Sequence, residues 1–318
     1  MKIVYLGSGQ FGIECLNALT GSSHSLQFIV TQHPHPAGRG RRQRPTPVAR
    51  WANTHSIPFI ETEDANTPKV IQPIADYEPD MIVVVAFGQK IGTELINLPR
   101  LGRAINVHAS LLPKYRGAAP INWAIINGET QTGISIITLA EKMDAGEIIT
   151  QVETSIQPDE TAGDLHDRLA QMAAPLLLET LKQIENGTAI YTEQDHAKVT
   201  LAPKLKKSNG SLDFAEPADL LARKIRGFWP WPGASANYVS GKTDRPLRVT
   251  LAMAKAVGSS NPAGLPAGTL DENLDIICGQ NALEIIKIKP DGSRLMNFKD
   301  FVNGRATQPG DMFAKIDN

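Results

Sequence analysis

The feature that most constrains the fold is the apolar segment at residues 81–87, which reads MIVVVAF. It carries no charge and is rich in β-branched side chains, so both of its faces favour burial. A strand of this kind belongs in the centre of a parallel sheet that is covered by helices on both sides. The chain is therefore expected to contain an α/β layer structure.

The residues around this segment alternate between strand and helix patterns. Further strands are predicted at 2–6, 27–31, 57–60, 104–109 and 132–139, and helices at 13–19, 47–53 and 161–184. Strands that alternate with amphipathic helices predict a parallel sheet. This first domain is expected to span residues 1–197.

The pattern changes near residue 198. Residues 198–210 contain lysines, a proline and no clear period, which predicts a linker. A helix at 217–227 is followed by short alternating segments that Gly and Pro turns separate. The second domain, residues 211–318, is therefore predicted to be a small β-barrel or β-sandwich.

Composition excludes several classes of protein. The net charge is −1, so the chain as a whole is not a polyanion binder. Its two cysteines, Cys15 and Cys278, lie in separate halves and suggest neither a zinc site nor a disulfide framework. No apolar run approaches the roughly 18 residues of a membrane-spanning helix. A cytoplasmic protein without a metal is expected.

Residues 7–12 form a literal GxGxxG motif between a strand and a helix. A dinucleotide site also needs a carboxylate about 20 residues further on, to bind the ribose. The second strand instead ends at Thr31, Gln32 and His33. The glycines are interpreted as a tight turn, and an NADP-dependent dehydrogenase remains an alternative because arginines follow.

Three polar side chains, those of Asn106, His108 and Asp144, point to a catalytic site. Asn106 and His108 are two residues apart, so they share one face of a predicted strand, and Ser110 continues that face. Asp144 lies in a glycine-containing loop after the strand at 132–139. At the carboxyl edge of that strand, its carboxylate is expected to reach His108.

An amide, an imidazole and a carboxylate without an activated nucleophile suit direct acyl transfer to an amine. Asn106 and a protonated His108 are predicted to donate hydrogen bonds to the oxyanion. Asp144 is predicted to keep His108 charged and to relay protons.

These residues resemble the 10-formyltetrahydrofolate-dependent formyltransferases, whose signature is Asn-x-His leading into Ser-Leu-Leu-Pro, with a later Asp. Residues 114–121 and 143–147 extend the resemblance. It implies a Rossmann-like catalytic domain followed by an OB-like barrel. The similarity to members that act on charged tRNA, at residues 36–42, 225–233 and 303–311, extends over nearly the whole chain.

The resemblance also implies substrates and binding residues. The donor is expected to be 10-formyltetrahydrofolate, the acceptor the amino group of methionine on initiator tRNA, and the enzyme a monomer. Folate contacts are implied for two segments: Phe87, Gln89, Lys90, Ile91, Ser110, Leu111, Leu112 and Pro113. Gln89 and Lys90 are more polar than the family pattern.

A cluster of arginines in a Pro- and Gly-rich loop is strongly basic, although the net charge of the whole chain is close to zero. Arg39, Arg41 and Arg42 are predicted to contact tRNA phosphates, with Lys206 and Lys207 extending that contact. Two alternatives stay open: a formyltransferase that acts on an amino sugar nucleotide, and a regulatory protein that binds folate without catalysis. The arginines argue against a sugar nucleotide as acceptor. The complete set of Asn106, His108 and Asp144 argues against a protein without catalysis.

Overall fold

The computed structural model describes residues 1–37, 42–242, 245–259 and 264–316. The chain divides into two compact units. Unit 1 contains Met1–Pro120, Gln131–Ser155 and His166–Pro203, and unit 2 contains Ile121–Thr130, Ile156–Leu165 and Lys204–Asn318. In the described residues, no helix combines the length and the apolar composition that are needed to cross a membrane.

The elements up to residue 203 alternate between strand and helix. The strands are β1 (Lys2–Gly7), β2 (Ser25–Gln32), β3 (His35–Ala37), β4 (Arg42–Arg44), β5 (Phe59–Thr62), β6 (Met81–Val85), β7 (Ile105–His108), β8 (Arg116–Gly117), β9 (Gln131–Thr138), β10 (Ile148–Ser155) and β11 (Leu201–Ala202). The helices are α1 (Ile13–Thr20), α2 (Pro47–Thr54), α3 (Pro68–Asp76), α4 (Thr93–Asn97), α5 (Pro120–Ile126) and α6 (Ala162–Glu185).

The main sheet of unit 1 has seven strands in the order β10-β9-β7-β6-β1-β2-β5. The five strands from β7 to β5 are parallel, which confirms the Rossmann-like prediction. All five residues of β6 are buried, as its composition predicts. Two strands at one edge run the other way, since β9 is antiparallel to β7 and β10 is antiparallel to β9.

The glycines of the GxGxxG motif are explained by close packing around Tyr5. The Tyr5 hydroxyl donates a 3.0 Å hydrogen bond to the carbonyl of Gly12. A Cβ atom at Gly12 would lie 2.0 Å from that hydroxyl, and one at Gly7 would lie 2.8 Å from the carbonyl oxygen of Val85. The motif therefore serves the strand-to-helix turn, as interpreted from the sequence.

Unit 2 is built on an antiparallel sheet that closes almost completely. Its strands are β12 (Ala234–Val239), β13 (Leu247–Val257), β14 (Ile276–Ile277), β15 (Ala282–Pro290), β16 (Met296–Asn297) and β17 (Met312–Ala314), and its helices α7 (Ala218–Phe228) and α8 (Phe298–Arg305). The sheet order is β14-β15-β13-β12-β17, with β16 on β15. Thr269 bridges to Met312 and Leu270 to Ile276, which links the two ends. The predicted OB-like barrel is confirmed.

A buried carboxylate stabilises this barrel. Asp311 is 1% exposed and accepts hydrogen bonds from the Tyr238 hydroxyl and from the backbone N–H groups of Gly241 and Gln308. Burial raises the pKa of Asp311, but these hydrogen bonds outweigh it and hold the pKa below its ordinary value of 3.8. The carboxylate therefore stabilises the fold at neutral pH, and that contribution is lost as the pH falls through the folded-state pKa.

We expect Asp311→Asn to lower the free energy of unfolding by about 2–3 kcal/mol at pH 7. Whichever way the new amide turns, its NH2 group faces at least one N–H or O–H donor. Urea unfolding at pH 7 and in acid measures the free energy of unfolding of both proteins. The difference between wild type and variant should become smaller in acid. A gap that stays constant down to pH 3 would show that the carboxylate charge is unimportant.

Candidate active site

Strand β7 presents Asn106 and His108 on one face of the sheet. Residues two apart in a strand point the same way. The Asn106 side chain is half-buried, and His108 is 5% exposed. Ile105 and Val107, which alternate with them, are also buried. The strand thus places two polar side chains together inside an otherwise apolar layer.

Asp144 reaches these residues by a route that differs from the expected one. Because β9 is antiparallel to β7, its carboxyl end lies beside Ile105 and not beside His108. The loop after β9 folds back, and Asp144 adopts the left-handed conformation with φ 52°. A Cβ atom at Gly146 would lie 1.7 Å from the Thr138 carbonyl oxygen, so only glycine permits this close approach.

The Asp144 carboxylate contacts three groups of the site. Its Oδ1 accepts a 3.3 Å hydrogen bond from Asn106 Nδ2. Its Oδ2 accepts a 2.8 Å bond from the backbone N–H of Gly117 and lies 3.6 Å from His108 Nδ1. The structure therefore brings together the three residues that the sequence singled out.

Both ring nitrogens of His108 face protein oxygens. Nε2 lies 2.9 Å from the backbone carbonyl oxygen of Tyr115, and Nδ1 faces Asp144. A carbonyl oxygen only accepts, so Nε2 carries a hydrogen. Nδ1 lies 3.6 Å from the Asp144 carboxylate oxygen, and the two form an ion pair only when the ring carries a second proton. The direct donation from His108 to an oxyanion stays a prediction.

The segment Ser110 to Pro113 is held by a hydroxyl network. The Ser110 hydroxyl donates to the Lys114 carbonyl at 2.7 Å. The hydroxyl of buried Ser135 donates to the Ser110 carbonyl and accepts from the N–H of Leu112. Gln151 Nε2 donates to both the Leu112 carbonyl and the Ser135 hydroxyl. Ser135 and Gln151 were absent from the predicted site, although they fix the shape of this segment.

The loop after β6 presents backbone, since its apolar side chains point inward. Phe87 and Ile91 are buried in the same apolar cluster as the core of the sheet. Ala86 and Gly88 are exposed and adopt left-handed conformations, with φ 46° and 78°. Gln32 Nε2 donates to the Phe87 carbonyl at 2.7 Å. The Phe87 and Ile91 side chains thus belong to the core of the sheet.

Gln89 is more polar than the family pattern at this position, and the structure explains why. Its Nε2 donates to the Thr62 carbonyl and its Oε1 accepts from the Ala65 N–H, both at 2.8 Å. In return, Asn66 Nδ2 donates to the carbonyl of Lys90, whose side chain is exposed. These two amide side chains fasten the loop after β5 to the loop after β6. The Gln89 side chain therefore links the two loops.

The predicted tRNA-contacting residues are described in part. Arg39 and Arg41 lie outside the described residues. Arg42 begins β4, which pairs with β3 in a hairpin, and its side chain is not described. Lys206 and Lys207 are exposed in unit 2. A cavity of about 150 Å³ is lined by Lys207, Ser208, Ser211, Arg248 and Ile316.

Neither cysteine is an activated nucleophile. Burial, with a smaller contribution from Glu14, raises the pKa of the Cys15 thiol to about 12. Burial also raises the pKa of the Cys278 thiol to about 12. Since the thiolate is the reactive form, both thiols are inert near neutral pH.

Known proteins resemble the chain over its whole length. The formyl transferase family matches residues 1–181, and the formyl transferase C-terminal domain matches residues 204–306. A methionyl-tRNA formyltransferase from Citrifermentans bemidjiense is 37% identical over 317 residues, covering 100% of this chain and 98% of the relative. The chain belongs to the methionyl-tRNA formyltransferase family. The enzyme of that name from Alkaliphilus oremlandii is 38% identical and is covered completely.

Solved structures share the fold at lower identity. The sugar 3N-formyltransferase WlaRD, determined with dTDP and 5-N-formyl-THF, has a TM-score of 0.64 at 15% identity, covering 92% of this chain and 99% of its own. HypX from Aquifex aeolicus, in complex with tetrahydrofolic acid, has a TM-score of 0.62 at 18% identity, covering 95% of this chain and 47% of its own. At these identities the likeness concerns the fold alone.

Proposed function

We propose that the chain transfers a formyl group from 10-formyltetrahydrofolate to the amino group of methionyl initiator tRNA. The observation that carries this proposal is the convergence of Asn106, His108 and Asp144 on one face of the sheet. The full-length similarity to methionyl-tRNA formyltransferases supports the choice of acceptor. The product serves translation initiation, which places the reaction in the cytoplasm.

The chemical step is a direct acyl transfer. The methionyl nitrogen attacks the formyl carbon, a new C–N bond forms, and the carbonyl electron pair moves to oxygen. As the tetrahedral intermediate collapses, the bond from the formyl carbon to N10 of the folate breaks. The half-buried Asn106 amide and the positive charge of His108 stabilise the oxyanion.

Proton movement falls to Asp144 in this scheme. The neutral amine becomes an ammonium when it bonds to the formyl carbon and must then lose a proton, and the leaving N10 must gain one. The Asp144 carboxylate is 10% exposed and touches both Asn106 and His108, so a proton that it accepts stays within the site. Transfer to N10 then restores the carboxylate. Asp144 thus works as a relay and also keeps His108 cationic.

Folate binding is proposed at the exposed backbone after β6 and at residues 110–113. A pterin carries donors and acceptors along one edge, and the backbone of the exposed loop at residues 86–88 is proposed to offer complementary groups. Gln32, Gln89 and Asn66 hold that loop in place. Lys90 and the segment from Ser110 to Pro113 would then contact the donor through backbone or apolar atoms.

The choice of acceptor is tested by a direct comparison. The purified chain is assayed with 10-formyltetrahydrofolate and either charged initiator tRNA or a dTDP-linked amino sugar. The expected result is a kcat/KM for the tRNA at least about 10³-fold above that for the sugar, since only the tRNA can use both units. Preferential formylation of the sugar would overturn the proposal.

Unit 2 is proposed to hold tRNA phosphates at the cavity between Lys207 and Arg248. The lining includes the cations of Lys207 and Arg248 and the hydroxyl of Ser208, which are the kinds of donor that phosphate oxygens accept. We expect Lys207→Ala with Arg248→Ala to raise KM for tRNA roughly tenfold and to reduce its salt dependence, while kcat stays unchanged. Lys299→Ala, an exposed lysine of the same unit, is the control. Unchanged KM in the double variant would remove this cavity from the tRNA path.

A further inference from the structure

Gln194 is a buried polar residue in a segment that neither family match covers. The first match ends at residue 181, and the second begins at residue 204. Its neighbours Glu193 and Asp195 are exposed, whereas Gln194 is 5% exposed. Burial of an amide is unfavourable unless its hydrogen-bonding groups are all satisfied. The partners of Gln194 therefore indicate what the residue does.

The Gln194 amide holds the backbone on both sides of the Asp144 carboxylate. Its Nε2 donates to the carbonyl of Asp144 at 2.8 Å and to that of Gly146 at 2.7 Å. Its Oε1 accepts from Nε and Nη2 of Arg116, at 3.0 and 2.7 Å. Arg116 is itself only 9% exposed. Both donors and the acceptor of the amide are thus used.

The same segment also fixes the strand that faces Asp144. The Thr200 hydroxyl accepts from the Tyr115 N–H, and the Thr200 carbonyl accepts from the Arg116 N–H. Strand β11 then pairs in parallel with β8, which contains Gly117. Tyr115 supplies the carbonyl that His108 contacts, and Gly117 supplies the N–H that Asp144 accepts. Residues 194–202 therefore contact both backbone segments that hold the catalytic residues.

We propose that Gln194, oriented by Arg116, is a positioning residue that holds Asp144 in its productive geometry. The left-handed conformation of Asp144 is uncommon for a residue with a side chain, so surrounding contacts must maintain it. Without the two bonds from Gln194, the Asp144 carboxylate shifts away from Asn106 and His108. The inference rests on the proposed formyl transfer, because it assigns Gln194 a part in that reaction.

The test compares two substitutions that change the Gln194 amide differently. Gln194→Met keeps the length of the side chain and removes both hydrogen-bonding functions. Gln194→Glu keeps the acceptor and gains an ion pair with Arg116, but turns an oxygen toward the carbonyls of Asp144 and Gly146. If Gln194 positions Asp144, kcat falls about tenfold to a hundredfold in both variants. The KM for the folate donor and the KM for the tRNA then stay within about threefold of wild type.

The thermal midpoint separates positioning from a general structural role. The new ion pair offsets part of the lost hydrogen bonding in Gln194→Glu, and kcat is measured well below the midpoint of each variant, so that a loss of kcat reports geometry and not unfolding. Glu193→Gln, the exposed neighbour, is the matched control and should change neither quantity. A kcat within threefold of wild type in Gln194→Glu overturns the proposal, even where Gln194→Met does not fold.

A double-mutant cycle shows whether the effect passes through Asp144. In an Asp144→Asn background, adding Gln194→Glu should change kcat by less than about threefold, because the residue that it positions is already disabled. If the factors by which the two substitutions lower kcat multiply in the double variant, Gln194 acts elsewhere and the proposal is overturned. Wild-type transfer to charged tRNA in the same assay establishes the proposed function itself, so the two failures remain distinguishable.

Discussion

Asp144→Asn should lower kcat for formyl transfer by about 10³-fold, with little change in either KM. The substitution keeps the shape of the side chain but removes its charge and one acceptor. Asn106 Nδ2, Gly117 N–H and the His108 ring all present donors to the carboxylate. An amide placed there turns its own NH2 group toward at least one of them. It also lacks the basicity that the proton relay requires.

The measurement is the initial rate of formylation of charged tRNA at saturating donor. Glu141→Gln changes an exposed carboxylate of the same loop and should retain the wild-type rate. Far-UV and near-UV circular dichroism check that both variants are folded. If Asp144→Asn retained more than a tenth of the wild-type kcat, Asp144 would have no essential role in the chemical step.

The second large effect is expected for His108→Ala. Removing the ring deletes the imidazole that lies 2.9 Å from the Tyr115 carbonyl oxygen and 3.6 Å from the Asp144 carboxylate. We expect kcat to fall about 10²- to 10⁴-fold, the usual range for a general acid or an oxyanion donor. The void left by a buried ring also lowers the free energy of unfolding, by about 1–3 kcal/mol.

Single-turnover rates distinguish this loss from weaker binding. His166→Ala, which removes a histidine that packs edge-on against Phe11, serves as the control. At saturating substrates the control should match wild type, and His108→Ala should stay slow however much substrate is added. Recovery of the wild-type rate at high substrate would mean that His108 only binds substrate.

The sequence predicts the centre of the fold better than its edge. The apolar segment that forms β6 has one stable environment, a buried parallel strand, and it is found there. Strand β9 is also buried on both faces, so its composition does not reveal its direction. Strand β10 alternates between more and less exposed residues, a pattern typical of an antiparallel edge, but this exposure is visible only in the structure. The direction of this edge therefore does not follow from the sequence.

The proximity of Asn106 and His108 was predictable because their spacing in one strand implies a shared face. Asp144 was expected for an incorrect geometric reason, since its position depends on a backward loop and on the space beside Gly146. Gln194 and Arg116 were not assigned a role, because an isolated glutamine among charged residues is typical of a surface. The proposed role of Gln194 depends on a contact across 50 residues, between its side chain and the carbonyl of Asp144.

The central claim is that the formyl group passes directly from the donor to the amine, at Asn106, His108 and Asp144. The most direct test follows radioactive carbon in the formyl group of 10-formyltetrahydrofolate, with enzyme in excess and the reaction quenched on the millisecond scale. Direct transfer predicts that the label appears in formylmethionyl-tRNA, with no labelled protein at any time. Protein-bound label that forms first and then moves into the product would contradict it.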